Sequence, residues 1–258
     1  MKHTITHADR ADKALNHLYP GAGRRQLARL FDDGAVRING RRAHKGDRVA
    51  PGDELELAQS PTTAEERRPI ADPALPLAVL CERTDLIVVD KPAGVPSQPL
   101  RAGERGTIAN ALAHRYPECA ALGDDPRDGG LVHRLDIGTS GALIAARTPA
   151  AYRALRDAFA AGQIEKQYLA LTCGTPSARA CDAPLVQRGK RVAVDHAEGL
   201  AAYTELEVER ATATHARVRC VARTGRMHQI RAHLAYLGAP IAGDARYGGA
   251  PLADDPGF

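Results

Sequence analysis

At 258 residues, 44% of them hydrophobic, the chain is long enough to bury one or two substantial cores, and no apolar run approaches the length a membrane helix needs. Its net charge is only +4, and its five scattered cysteines include no Cys-x-x-Cys pair, so neither a disulfide framework nor a zinc site is indicated. No phosphate loop, dinucleotide fingerprint or charged-then-apolar leader is present, so the expectation is a cytoplasmic protein with reduced thiols, no cofactor and no metal.

The first elements fall in residues 9–57. Ala11, Ala14, Leu15 and Leu18 recur at helical spacing and stop at Pro20-Gly21, and Leu27, Leu30 and Phe31 predict a second helix that stops at Gly34. Val36 and Ile38 then alternate into Asn39-Gly40, a strong hairpin signal, and Leu55 and Leu57 alternate after Pro51-Gly52-Asp53. Residues 24–48 carry Arg24, Arg25, Arg29, Arg37, Arg41, Arg42, Lys45 and Arg48 against Asp32, Asp33 and Asp47, a local excess of five positive charges. Arginine dominates, which favours forked phosphate contacts, although a solvated face is the commoner reason for a charge run. The order helix, basic helix, hairpin, closing strand is similar to the alpha-L RNA-binding module, through Arg24-Arg25-Gln26, the Gly34 to Gly40 turn and Gly52-Asp53. That resemblance implies that Arg24, Arg25, Arg29, Arg37, Arg41 and Arg42 face RNA backbone and shape.

Residues 60–76 are rich in proline and charge with little apolar periodicity, and read as a linker between a module at 1–59 and a larger domain at 77–258. Beyond it, strands are predicted over 77–81, 86–90, 131–135, 142–148, 168–172, 203–208 and 216–222. Helices are predicted over 107–115, after Pro149 and over 226–237. Strands outnumber helices without alternating with them, so the predicted class is α+β with a largely antiparallel sheet. A second basic stretch, Arg210, Arg217, Arg219, Arg223, Arg226 and Arg231, has no acidic residue between its ends and suggests a polyanion bound across both basic regions.

Four motifs follow in order: Asp90-Lys91-Pro92-Ala93-Gly94-Val95-Pro96, His133-Arg134-Leu135-Asp136 with Thr139-Ser140-Gly141, Lys166-Gln167-Tyr168-Leu169-Ala170, and Thr224 to Leu234. Gly243-Asp244 and Tyr247-Gly248 lie downstream. Together they resemble the RluA-type RNA pseudouridine synthases over residues 77–248. The resemblance implies an isomerase that breaks the bond between ribose carbon 1 and the uracil nitrogen, turns the base and rejoins it through carbon 5. It assigns the catalytic carboxylate to Asp136, a ring against the target base to Tyr168, a cation paired with the carboxylate to Arg231, and refilling of the space left by a flipped base to Arg134. A local salt bridge for Arg134, a core role for Tyr168 and a phosphate contact for Arg231 are the alternatives that residue type alone leaves open. Met227 stands where the family more often has threonine, and Ser97-Gln98 where it often has histidine.

The expected partner is RNA, with large-subunit ribosomal RNA favoured because an alpha-L module precedes an RluA-type domain, and transfer RNA as the second choice. No membrane or protein partner is indicated. A non-catalytic RNA-binding factor for ribosome assembly is the competing class, and the joint presence of Asp136, Tyr168 and Arg231 argues against it. A glycosidase needs a second carboxylate at fixed separation, and none stands out.

Overall fold

The computed structural model describes residues 1–251, and at Arg25 the backbone alone. Tertiary contacts divide the chain within one helix, into a unit of residues 1–155 and a second unit from residue 156 onward.

The first unit begins with β1 (Lys2–Thr4), β2 (Asp9–Arg10), α1 (Ala11–Leu18), α2 (Arg24–Asp32), β3 (Val36–Ile38), β4 (Arg41–Arg42), β5 (Arg48–Val49) and β6 (Glu54–Leu57). Helical spacing puts Ala11, Ala14 and Leu15 on one face of α1 and Leu27, Leu30 and Phe31 on one face of α2, and both faces bury against Val36, Leu55 and Leu57. The antiparallel sheet runs β1-β6-β3-β4. Its predicted hairpin forms: Asn39 (φ 50°) and Gly40 (φ 78°) both take the left-handed conformation that a two-residue turn requires, bringing Ile38 opposite Arg41. Asn39 tolerates that conformation because its amide donates to Asp53 and its side-chain oxygen accepts the Glu54 N–H, each at 2.8 Å.

The same unit continues with β7 (Ala78–Glu82), β8 (Leu86–Lys91), α3 (Ile108–Arg115), β9 (Gly141–Ala146) and α4 (Pro149–Ala160), the last crossing the division. β7, β8 and β9 form an antiparallel sheet, and α3 packs Ile108, Ala109 and Leu112 onto Ile87, Val89 and Leu143. Thr107 and Asn110 cap α3 reciprocally. The loop before that cap also receives the end of the proline-rich segment: Asp72 accepts the Gly106 N–H at 2.9 Å, and Asn110 and Arg105 donate to the carbonyls of Ile70 and Ala71 at 2.8 Å. The predicted strand over 131–135 does not form. Leu131 makes one isolated bridge to Ala145, Leu131 and Val132 are both buried instead of alternating, and the chain then leaves the sheet.

The second unit holds β10 (Gln167–Cys173), β11 (Ala180–Cys181), β12 (Leu185–Arg188), β13 (Arg191–Val194), β14 (Thr204–Ala211), β15 (His215–Ala222) and α5 (Gln229–Tyr236). Its main sheet runs β10-β15-β14-β11, antiparallel throughout, with Leu234 of α5 packed among Ala170, Leu206, Val218 and Cys220. β12 and β13 form a hairpin that the sequence pattern does not predict, closed by Gly189 (φ 62°) and Lys190. α5 starts three residues later than predicted, because His228 is itself left-handed (φ 52°) and ends the preceding turn. The α+β class with antiparallel sheets is the one predicted, and among the described residues no helix is long and apolar enough to cross a membrane.

Candidate active site

In the first unit the segment around Asp136 is irregular, so its polar backbone needs partners outside a sheet ladder. They come from the Lys-Pro loop after β8. Lys91 has no exposed surface, and its ammonium donates to the carbonyls of Pro92 (3.0 Å), Val95 (2.6 Å) and Ile137 (3.0 Å). Burial pushes the Lys91 ammonium below its ordinary value, and the charge of Asp136 pulls it back up. The N–H of Gly94, whose φ of 87° suits glycine, donates to the same Ile137 carbonyl at 2.8 Å. Ser97 holds the other side, its hydroxyl donating to the Leu135 carbonyl at 2.9 Å and accepting the Leu135 N–H at 3.1 Å. Thr139 N–H closes a turn onto the Asp136 carbonyl at 3.0 Å. His133 anchors the strand that follows, its Nε2 accepting the Ile144 N–H at 3.1 Å. The backbone on both sides of Asp136 is thus fixed, Asp136 as a residue is half-buried, and Arg134 is exposed.

In the second unit Tyr168 lies on β10 opposite Cys220, half-buried against the cluster that includes Leu206 and Leu234. Arg231 lies on α5. Its Nε and Nη2 donate to the two carboxylate oxygens of Asp244, at 2.6 and 3.0 Å, and its guanidinium lies 4.8 Å from the centre of the Tyr247 ring. α5 is itself pinned on either side of Arg231. Gln229 donates to the Tyr203 carbonyl and to Thr204 Oγ1, each at 2.9 Å, and accepts from Thr224 Oγ1 at 2.7 Å and from the Arg226 N–H at 3.1 Å. His233, fully buried, bonds Thr204 Oγ1 through Nδ1 and the Ala183 carbonyl through Nε2, both at 2.9 Å. A carbonyl only accepts, so Nε2 carries the proton and Nδ1 accepts from the threonine. Burial pushes the His233 imidazole below its ordinary value. Of these residues, sequence reasoning assigned site roles to Tyr168 and Arg231. Gln229, His233, Asp244 and Tyr247 were visible only as motif letters, because most of their partners lie far away in sequence.

Arg24, Arg29, Arg37, Arg41 and Arg42 are all exposed, while the side chain of Arg25 lies outside the described residues. β3 and β4 place Arg37 directly opposite Arg42, a like-charge pair that costs about 0.2–1 kcal/mol where nothing neutralises it. The second basic stretch is different from its sequence reading. On the β14-β15 face, Arg217 and Arg219 bond Glu209, and Arg223 bonds Glu205 and Glu165. The glutamates lie on neighbouring elements, so a stretch that is purely basic in sequence becomes a ladder of exposed ion pairs.

Residues 85–236 match the family model described as RNA pseudouridylate synthase. The chain is 36% identical over 245 residues to the ribosomal large subunit pseudouridine synthase D of Xanthomonas campestris, covering 93% of this chain and 72% of that one. It is 34% identical over 246 residues to the protein of the same name from Yersinia pestis, covering 94% and 74%. Among solved structures, the human RNA pseudouridylate synthase domain containing 4 is similar with a TM-score of 0.55 at 25% identity, over 69% of this chain and 73% of that one.

Proposed function

The chain belongs to the RNA pseudouridylate synthase family, of RluA type, and is an isomerase of uridine in RNA; from that premise we propose that its substrate is large-subunit ribosomal RNA and that Asp136 carries the chemistry. The single observation behind this reading is that Asp136, Tyr168 and Arg231 all fall inside the matched range 85–236, while the relatives covering most of the chain are named for the large ribosomal subunit.

In this reading the Asp136 carboxylate either attacks ribose carbon 1 or removes the proton from carbon 2. Either route breaks the bond from carbon 1 to the base nitrogen. Carbon 1 then bonds to carbon 5 of the uracil, which gives up its proton while the nitrogen gains one, so no oxidant, cofactor or energy source is consumed. Tyr168 supplies a flat surface for the detached base, Arg231 a cation for the carboxylate, and Arg134 the planar group that takes the place of the flipped nucleotide. Flipping costs a few kcal/mol, so that replacement matters most in structured RNA. Arg24, Arg25, Arg29, Arg37, Arg41 and Arg42 contribute phosphate contacts that position the substrate. With that substrate, the proposed site of action is the cytoplasm.

The test is to map pseudouridines in ribosomal and transfer RNA from cells with and without the protein. The expected result is loss of at least one pseudouridine from large-subunit ribosomal RNA. A loss confined to transfer RNA overturns the proposed substrate, and no loss in either points to a non-catalytic assembly factor.

A further inference from the structure

Two motifs are left without a role by the proposed mechanism, Gly243-Asp244 and Tyr247-Gly248, and both converge on one side chain. We propose that Asp244 and Tyr247 are positioning residues that together hold the guanidinium of Arg231 in one orientation. The inference rests on the proposed role of Arg231 in the reaction.

Asp244 fixes the guanidinium in its own plane. The forked contact, Nε to Oδ2 at 2.6 Å and Nη2 to Oδ1 at 3.0 Å, uses one whole edge of the group and sets its rotation about the side-chain axis. Tyr247 fixes it out of that plane, its ring centre 4.8 Å from the guanidinium carbon. The ring can serve as a floor because it is immobilised at its far end. Tyr247 is almost fully buried, and its hydroxyl accepts the Val192 N–H and bonds His228 Nδ1, both at 2.9 Å. With Val192 donating, the hydroxyl proton is available to His228, which sits in a left-handed conformation at the start of the same helix that carries Arg231. The short turn from Asp244 to Tyr247 places the in-plane and out-of-plane restraints on one rigid piece of chain, Tyr247 N–H bonding the Asp244 carbonyl at 3.0 Å. An arginine on a helix surface samples many rotamers; this one is restricted on two axes before substrate arrives.

Three variants test this in the full-length chain: Asp244→Asn, Asp244→Glu and Tyr247→Phe. Tritium release from uridine labelled at carbon 5 gives kcat and KM on a large-subunit RNA fragment, and the Nε–H signal of Arg231 in a nitrogen–proton NMR spectrum reports its exchange with water. Asp244→Asn keeps the shape and one hydrogen bond but loses the charge and the fork, so kcat should fall tenfold or more with KM changed less than twofold. Asp244→Glu should recover part of the loss, and Tyr247→Phe, which frees the ring from Val192 and His228, should fall between. In all three the Arg231 Nε–H should exchange faster in proportion to the loss. A purely structural role predicts lowered thermal stability with kcat per folded molecule unchanged, and that outcome overturns the proposal, as does unchanged Nε–H exchange in Asp244→Asn. Should the wild-type chain release no tritium from any RNA, the functional reading fails by itself, and the exchange measurement still decides whether Asp244 and Tyr247 hold Arg231.

Discussion

The buried ammonium of Lys91 donates at 3.0 Å to the carbonyl of Ile137, the residue directly after Asp136. A lysine with no exposed surface stays charged only where its protons find acceptors, and here the carbonyls of Pro92 and Val95 take the other two. The same cation therefore ties the Lys-Pro loop to the turn that presents Asp136 and lies within the field of its carboxylate.

Replacing Lys91 with methionine keeps the length of the side chain but strands the Pro92 and Val95 carbonyls, while the Ile137 carbonyl retains the Gly94 N–H. Two orphaned acceptors predict a loss of about 2–6 kcal/mol in urea unfolding. Turnover should also drop, because the turn holding Asp136 loses one of its ties. An unfolding midpoint equal to wild type would mean that the two orphaned carbonyls find water instead, and that Lys91 is not the clamp.

The fully buried His233 gives a pH prediction whose sign is fixed by its surroundings. Its imidazole is pushed below the ordinary value of 6.5 by burial. Between the folded and unfolded values the unfolded chain binds the extra proton, so stability is complete above about pH 6.5 and declines as pH falls beneath it, levelling once the folded imidazole protonates too. Unfolding free energies measured between about pH 7.5 and 5 should show this decline in wild type and a shallower one in His233→Gln, which cannot titrate. Equal slopes would assign the acid sensitivity to other groups.

How much of this was legible in the sequence depends on whether the signal was local. α1, α2 and the Asn39-Gly40 hairpin were readable because periodicity and left-handed turn chemistry belong to contiguous residues. The segment over 131–135 does not form the predicted strand: its apolar residues face the core and Leu131 makes one bridge to Ala145, but both backbone hydrogen bonds of Leu135 go to the side chain of Ser97, which lies 38 positions before it. The start of α5 was misplaced because the left-handed His228 is held by Tyr247, 19 residues further on, and no local pattern announces it. The same distance explains why Arg217, Arg219 and Arg223 read as a free basic stretch when their carboxylate partners lie on β14 and beside β10. Motifs marked where chemistry is carried, but not the contacts that hold those residues in place.

Asp136 and Arg134, two residues apart, should separate chemistry from base displacement. Asp136→Asn should abolish tritium release from uridine labelled at carbon 5 while RNA affinity stays within about twofold, because an uncharged amide can neither attack nor accept the proton. Arg134→Ala should reduce the rate on a folded stem-loop far more than on a short unstructured strand, since only a stacked nucleotide leaves a space to refill. Near wild-type turnover in Asp136→Asn would move the catalytic carboxylate elsewhere, and equal losses on both substrates in Arg134→Ala would assign Arg134 to a local salt bridge.

The Arg37 and Arg42 pair tests the basic hairpin without touching the catalytic residues. The two residues are paired across β3 and β4, and each guanidinium gives one hydrogen bond to a carbonyl, of Gly40 and of Asp32, at 2.9 Å. Changing both to glutamine removes a like-charge repulsion along with those two exposed bonds, so the free protein should keep its stability within about 1 kcal/mol. Binding to RNA should weaken, and the slope of log affinity against log salt should flatten by about 0.7 for each phosphate left unneutralised on a single-stranded substrate. Turnover at saturating RNA should be unchanged, because docking raises the local concentration of substrate without entering the chemical step. If affinity and salt slope both stay at wild-type values, the arginines form a solvated face and the RNA lies elsewhere. If turnover falls at saturation in the folded double variant, the hairpin takes part in assembling the reactive geometry and is more than a docking surface.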